Sequence, residues 1–221
     1  DYVEIGTLGD ALDFGDLTVA ALYWSGLSSP TRGFTLVADD PAAQTINMVT
    51  MASKGNAVDF GNQSKTGGYQ SAAANSVRGL WAGGYATTPR TTAGMSKSIE
   101  AIMIASQGTT QFFGDLTGTM IQPMPMQSPT RVVLAGGYNP SPGAYIATSE
   151  FFNFSTLGNS AIFGDMGGNY YAGQGASNAT RGIIRIGDSA PTVGTLLTLQ
   201  MATLGDAQDF GDSTFSYSHG D

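Results

Sequence analysis

Apolar residues recur two apart at five places along the chain: Val3 and Ile5, Val49 and Met51, Ile102 and Ile104, Phe152 and Phe154, Leu199 and Met201. The residues between them are mixed, including Glu4, Thr50, Asn153 and Gln200. A period of two with one apolar face describes a half-buried β-strand. Four residues after each pair comes a glycine that opens the phrase Gly-x-x-x-x-Phe-Gly. Its copies start at Gly9, Gly55, Gly108, Gly158 and Gly205, and GDALDFGD (9–16) and GDAQDFGD (205–212) are nearly identical. The Gly-Asp and Gly-Asn pairs of these phrases supply turn chemistry. Equivalent positions for Phe14, Phe60, Phe113, Phe163 and Phe210 follow, each ring buried and closing its own turn.

A second phrase follows the first four copies: SPTRG (29–33), NSVRG (75–79), SPTRV (128–132) and NATRG (178–182). From Phe to Arg the interval is 18 residues every time, ending at Arg32, Arg78, Arg131 and Arg181. The return from Arg to the next Gly varies between 23 and 30 residues, so a loop tolerant of insertion lies there. Denser apolar runs such as GLWAGGY (79–85) and VVLAGGY (132–138) follow the Arg. They read as strands buried on both faces, with a Gly pair that lets neighbouring backbone approach. No amphipathic helix stands out.

The average period is about 49 residues, the length of a three- or four-stranded propeller blade. Radial repetition hides sheet edges, which a chain with many strands and few charges requires. The fold expected is therefore all-β: one propeller domain over residues 1–221, cut into repeats 1–45, 46–98, 99–149, 150–196 and a partial 197–221. Five blades with one incomplete fit the phrase count, and four blades with an overlapping strand are the alternative.

Composition agrees. The 31 Gly and 9 Pro favour many tight turns, and no apolar run reaches the ~20 residues of a membrane-spanning helix. The chain starts at Asp1 with no signal-like segment, which suggests a processed product or a piece of a longer chain. Net charge is −8 with only nine Lys plus Arg, four of them in the repeat. Too few cations remain for a phosphate-binding surface, so nucleic acid is not an expected partner. The absence of Cys removes disulfides, thiolate zinc sites and cysteine nucleophiles.

GDALDFGDLT, SPTRG with its apolar strand, and the WAGGY or LAGGY ending resemble kelch-like repeats in virion proteins of marine bacteriophages. The resemblance covers residues 1 to about 214. It implies a propeller on a tail, fibre or capsid, acting in architecture or host attachment. FTLVADD (34–40) and IIRIGDS (183–189) depart from it by lacking the Gly pair. The kelch Trp is also absent from a repeating position, since Trp24 and Trp81 are not equivalent.

Catalysis has little to work with. A catalytic site breaks repeat symmetry, and most chemistry-bearing residues here obey it. Only three Glu are present, and Glu100 and Glu150 share a repeating slot with Asp1 and Asn47, against the convergent pair a glycosidase needs. The single His, His219, sits in the tail SYSHGD, too little for a Ser–His–Asp triad or a copper oxidase site. Calcium is the metal the sequence could suit, through Asp10, Asp13 and Asp16 or Asp206, Asp209 and Asp212. The preferred reading makes these side chains turn caps, so no cofactor is expected. Binding candidates are Tyr85, Tyr138 and Tyr145, on the insertion loops 85–98 and 138–149. Met124, Met126, Tyr170 and Tyr171 are expected to pack. Arg32, Arg78, Arg131 and Arg181 are read as internal clamps on turn carbonyls or on acids such as Asp16, Asp115 and Asp165. A ring of exposed Arg binding an anion is the alternative.

The function expected is non-enzymatic: a virion structural or adhesive module whose partners are other virion proteins, copies of itself, or a host glycan or receptor, without membrane insertion. A secreted or cell-surface bacterial adhesin or filament subunit is the alternative.

Overall fold

The computed structural model describes residues 1–20, 22–38, 44–65, 67–85, 94–141, 143–186 and 194–214, apart from the side chains of 22–24 and 38. Four antiparallel sheets form a four-bladed propeller, with no helix among the described residues, which settles the blade number on the second of the two counts. Blade A contains β1 (Leu22–Ser28), β2 (Arg32–Ala38), β3 (Thr45–Thr50) and β4 (Val58–Asn62). Blade B contains β5 (Ser71–Ala74), β6 (Arg78–Ala82), β7 (Ser98–Met103) and β8 (Gln111–Asp115). Blade C contains β9 (Met124–Gln127), β10 (Arg131–Ala135), β12 (Ala144–Asn153) and β13 (Ala161–Tyr170), with β11 (Tyr138–Asn139) paired to the tip of β12. Blade D contains β14 (Gln174–Ser177), β15 (Arg181–Arg185), β16 (Thr195–Gln200) and β17 (Gln208–Asp212). The sequence repeat thus starts in mid-blade, at the third strand.

The strand types follow the apolar pattern. β6 and β10, each begun by the repeating Arg, are buried along their length after that residue. The innermost strands surround the axis. Cavities of about 580 and 270 Å³ at the two mouths of the central channel are each lined by residues of all four blades.

Three apolar cores hold the blades together, and each belongs to a seam. Phe34, Leu36 and Phe60 of blade A meet Trp81, Ile102 and Ile104 around blade B. Leu80, Ile99 and Phe113 meet Val132, Leu134 and Phe152 between B and C. Met124, Met126 and Phe163 meet Ile184, Leu197 and Leu199 between C and D. Among the described residues no fourth core joins D to A.

Residues 1–20 form a half-blade beside A. Tyr2 bridges Leu12, as Met48 pairs with Val58 inside blade A, so the segment has outer-strand counterparts but no inner ones. This explains where the expected burial fails. Phe60, Phe113 and Phe163 are buried, but Phe14 is only half-buried against the Tyr2 ring and Phe210 is 49% exposed. Likewise Val3, Ile5 and Met51 are exposed, while Ile104, Phe154 and Met201 are buried. These positions are buried where a neighbouring blade covers them, and on residues 1–20 and at Phe210 they are not covered.

Each Phe-Gly turn touches the opening Gly of the next phrase. A Cβ on Gly114 would fall 2.0 Å from the Gly158 carbonyl oxygen, whereas one on Gly118 would meet nothing within 4 Å. Gly114→Ala should therefore lower stability by roughly 2–4 kcal/mol through backbone displacement, and Gly118→Ala by less than about 1 kcal/mol. Denaturant unfolding of the two variants checks the difference.

Candidate functional site

The repeating polar residues build the seams. The Gly55 N–H donates to the Phe14 carbonyl at 2.8 Å, and Gly108, Gly158 and Gly205 donate to Phe60, Phe113 and Phe163 at 3.0 Å. Two residues on, Ala57, Thr110, Ser160 and Ala207 donate to the carbonyls of Asp16, Asn62, Asp115 and Asp165. Each internal phrase is thus both acceptor for the next and donor to the one before.

Aspartate and asparagine side chains reinforce this ladder. The N–H groups of Asp16, Asp115 and Asp165 donate to Oδ1 of Asn56, Asn159 and Asp206 at 2.8–3.0 Å. Asp13, Asp59 and Asp209 accept from Gly15, Gly61 and Gly211 two residues on, an Asx cap on the Phe-Gly turn. Of the six candidate calcium ligands, Asp13, Asp206 and Asp209 have a carboxylate oxygen on a backbone N–H, and Asp16 contributes backbone groups to the seam. Asp10 and Asp212 stand exposed at the two ends of the ladder. Among the described residues no three His, Cys, Asp or Glu converge as a metal site would require.

The Glu slot is a buried staple. Glu100 accepts from the backbone and hydroxyl of Ser64 and from the Thr110 hydroxyl. Glu150 accepts from the backbone and hydroxyl of Thr117 and from the Ser160 hydroxyl. Asn47 takes the same place with the backbone and hydroxyl of Thr18. Thr18, Ser64 and Thr117 each stand four residues after a phrase Phe. Both Glu residues are 2% exposed, so hydroxyl donors replace the water they lose.

The four arginines divide. Arg32 Nη1 donates to the Ile104 carbonyl at 2.6 Å, Arg78 Nη1 to the Phe154 carbonyl, and Arg131 Nη1 to Met201 and Ala202 at 3.0 and 3.1 Å. Each reaches one blade forward. The acids considered as partners, Asp16, Asp115 and Asp165, are not used; Asp115 pairs with Lys97 instead, at 3.4 Å. Arg131 also lies 4.6 Å over the Phe151 ring. Arg181 is exposed, and among the described residues its guanidinium meets no carbonyl.

The tyrosines form two groups. Tyr85 stands edge-on to Tyr69 at 6.0 Å. Tyr138 and Tyr145 pair across β11 and β12, and Tyr171 joins them, stacked on Tyr145 at 5.4 Å and 3°. Tyr171 packs as expected, half-buried, and with half-buried Tyr138 it backs the exposed Tyr145. Its signal in the sequence was the adjacent Tyr170, whose carbonyl receives the Gly137 N–H and brings the segment beside the Gly pair. Met124 and Met126 are fully buried, as expected. His219 and residues 86–93 of the first insertion loop lie outside the described residues.

Two outcomes follow. Arg131→Ala should cost roughly 2–3 kcal/mol, from charge-assisted carbonyl bonds and the ring contact, while exposed Arg181→Ala should stay within about 0.5 kcal/mol. Thermal melts of the pair test this, and equal melts would remove the clamp. A chelator should leave the melting temperature unchanged, since native-state calcium would stabilise by mass action and its removal would show.

No protein-family model matches the chain, and a search of curated proteins found no match.

Proposed function

We propose that this protein is a non-enzymatic structural and adhesive module that presents an aromatic surface to a carbohydrate or protein ligand. The observation that carries the reading is the cluster of Tyr138, Tyr145 and Tyr171, with Tyr145 43% exposed and stacked on Tyr171. Flat aromatic faces with a hydroxyl at the edge suit sugar rings and peptide surfaces, since they combine apolar area with a polar tip. Support also comes from the economy of the other side chains. The repeating Asp, Glu and Arg residues are largely committed to the seams, which leaves few groups free to act as acid, base or nucleophile. The repeat phrases add a setting: they resemble those of phage virion proteins, so the module would stand on a tail, fibre or capsid and contact a host surface.

Glycan-array and whole-cell binding of the full chain, compared with Tyr145→Ala and Tyr171→Ala, tests the reading. Each loss of a stacking face should weaken binding about tenfold, with the fold intact by circular dichroism. Unchanged binding in both variants would sink it.

A further inference from the structure

The internal seams set a rule that both ends of the chain leave half fulfilled. Between successive units the forward edge offers a phrase Phe carbonyl and an Asp or Asn carbonyl in all four pairs and, in three of the four each, the N–H of that Asp, a Ser or Thr hydroxyl four residues after the Phe, and an Arg guanidinium. The receiving edge answers with the phrase Gly N–H, the N–H two residues on, an Asn or Asp side chain between them, the buried Asn or Glu, and the carbonyl four residues before the Gly. Blade D carries the whole forward set in Phe210, Asp212, Thr214 and Arg181. Residues 1–20 carry the whole receiving set in Gly9, Ala11, Asp10, Asp1 and the carbonyl of Ile5. Among the described residues none of these bonds is made at either end.

We propose that these two edges join different copies of this chain, residues 1–16 of one docking on the Arg181–Thr214 edge of the next. The interface continues one the chain already makes within itself, so both its donors and its geometry are specified. Burial agrees. Ile5 is 100% exposed and Phe210 49% exposed. Ile104, Phe154 and Met201, which hold the place of Ile5 in the seams A–B, B–C and C–D, are at most 5% exposed. Arg181 would reach the Ile5 carbonyl as Arg131 reaches Met201, and the Thr214 hydroxyl would meet the Asp1 carboxylate as Thr18 meets Asn47. Because the two edges differ, the contact is heterologous. Copies would run head to tail, closing into a ring only if the rotation per step allows it. The inference is independent of the tyrosine surface.

The chain has no cysteine, so an engineered pair reports cleanly. Thr214→Cys with Asp1→Cys should cross-link on oxidation into dimers and longer species on a non-reducing gel. Thr18→Cys with Asn47→Cys, whose native side chains lie 2.6 Å apart, should close within one chain as a control. A disulfide within one chain for the first pair would overturn the proposal, since the ends would then belong to one molecule. No disulfide beside a closed control would overturn it as well. Sedimentation velocity of the unaltered protein should show mass rising with concentration, and Arg181→Glu should raise the dissociation constant about tenfold with an unchanged melting temperature. A species that stays monomeric at every concentration would refute it.

Discussion

The fold depends on one backbone hydrogen bond, from the opening Gly of each phrase to the Phe carbonyl of the phrase before. For N–H and carbonyl to meet, two main chains approach until no Cβ fits on the turn glycine between them. Gly15, Gly61, Gly114 and Gly164 each lie where a Cβ would stand 2.0–2.5 Å from the next phrase. Once that distance is set, the other seam contacts follow at fixed offsets. The Asx cap shapes the turn, the neighbouring Asn or Asp receives its N–H, and the Arg 18 residues on reaches over the next blade's apolar strand end. The constant interval in the sequence is the trace of this geometry. Loops outside it are free to vary.

The repeat made strands, turns and fold class readable, because each copy obeys the same local physics. It did not show which contacts lie within a blade and which cross a seam, since a phrase reads alike in both cases. Phe14 and Phe210 carry the same phrase as the buried Phe113, yet differ from it because burial comes from the neighbouring blades. Arg181 has the same preface as Arg131, yet among the described residues its guanidinium meets no carbonyl. The Asp spacing of three resembled a cation site because caps and ligands draw on the same residue types. Only the direction of the backbone N–H groups separates the two. The tyrosine cluster was half legible: two of its members sit on the insertion loop, whereas Tyr171 arrives from the segment after β13, 26 residues beyond Tyr145 in sequence.

Sparse charge is consistent with this construction. A guanidinium that ends on carbonyls needs no acid beside it, and a buried carboxylate surrounded by hydroxyls needs no base. The chain keeps three seams polar at their edges and apolar in their cores without buried ion pairs among the described residues, and the desolvation cost of such pairs commonly offsets their attraction.

The staple slot differs from blade to blade: Asn47, Glu100, Glu150, then Leu197. The residue that would face it also differs, as Thr18, Ser64, Thr117 and finally Gly167. A chain of similar blades risks pairing them in the wrong order while it folds. Were Glu100 or Glu150 to dock where Gly167 waits, a buried carboxylate would keep the hydroxyl of its own blade but lose the one across the seam, at a cost. Were Leu197 to dock beside Thr117, the hydroxyl would go unanswered. The variation at one position therefore works as a partial address, setting the last seam apart from the three that pair a hydroxyl with an acid or amide.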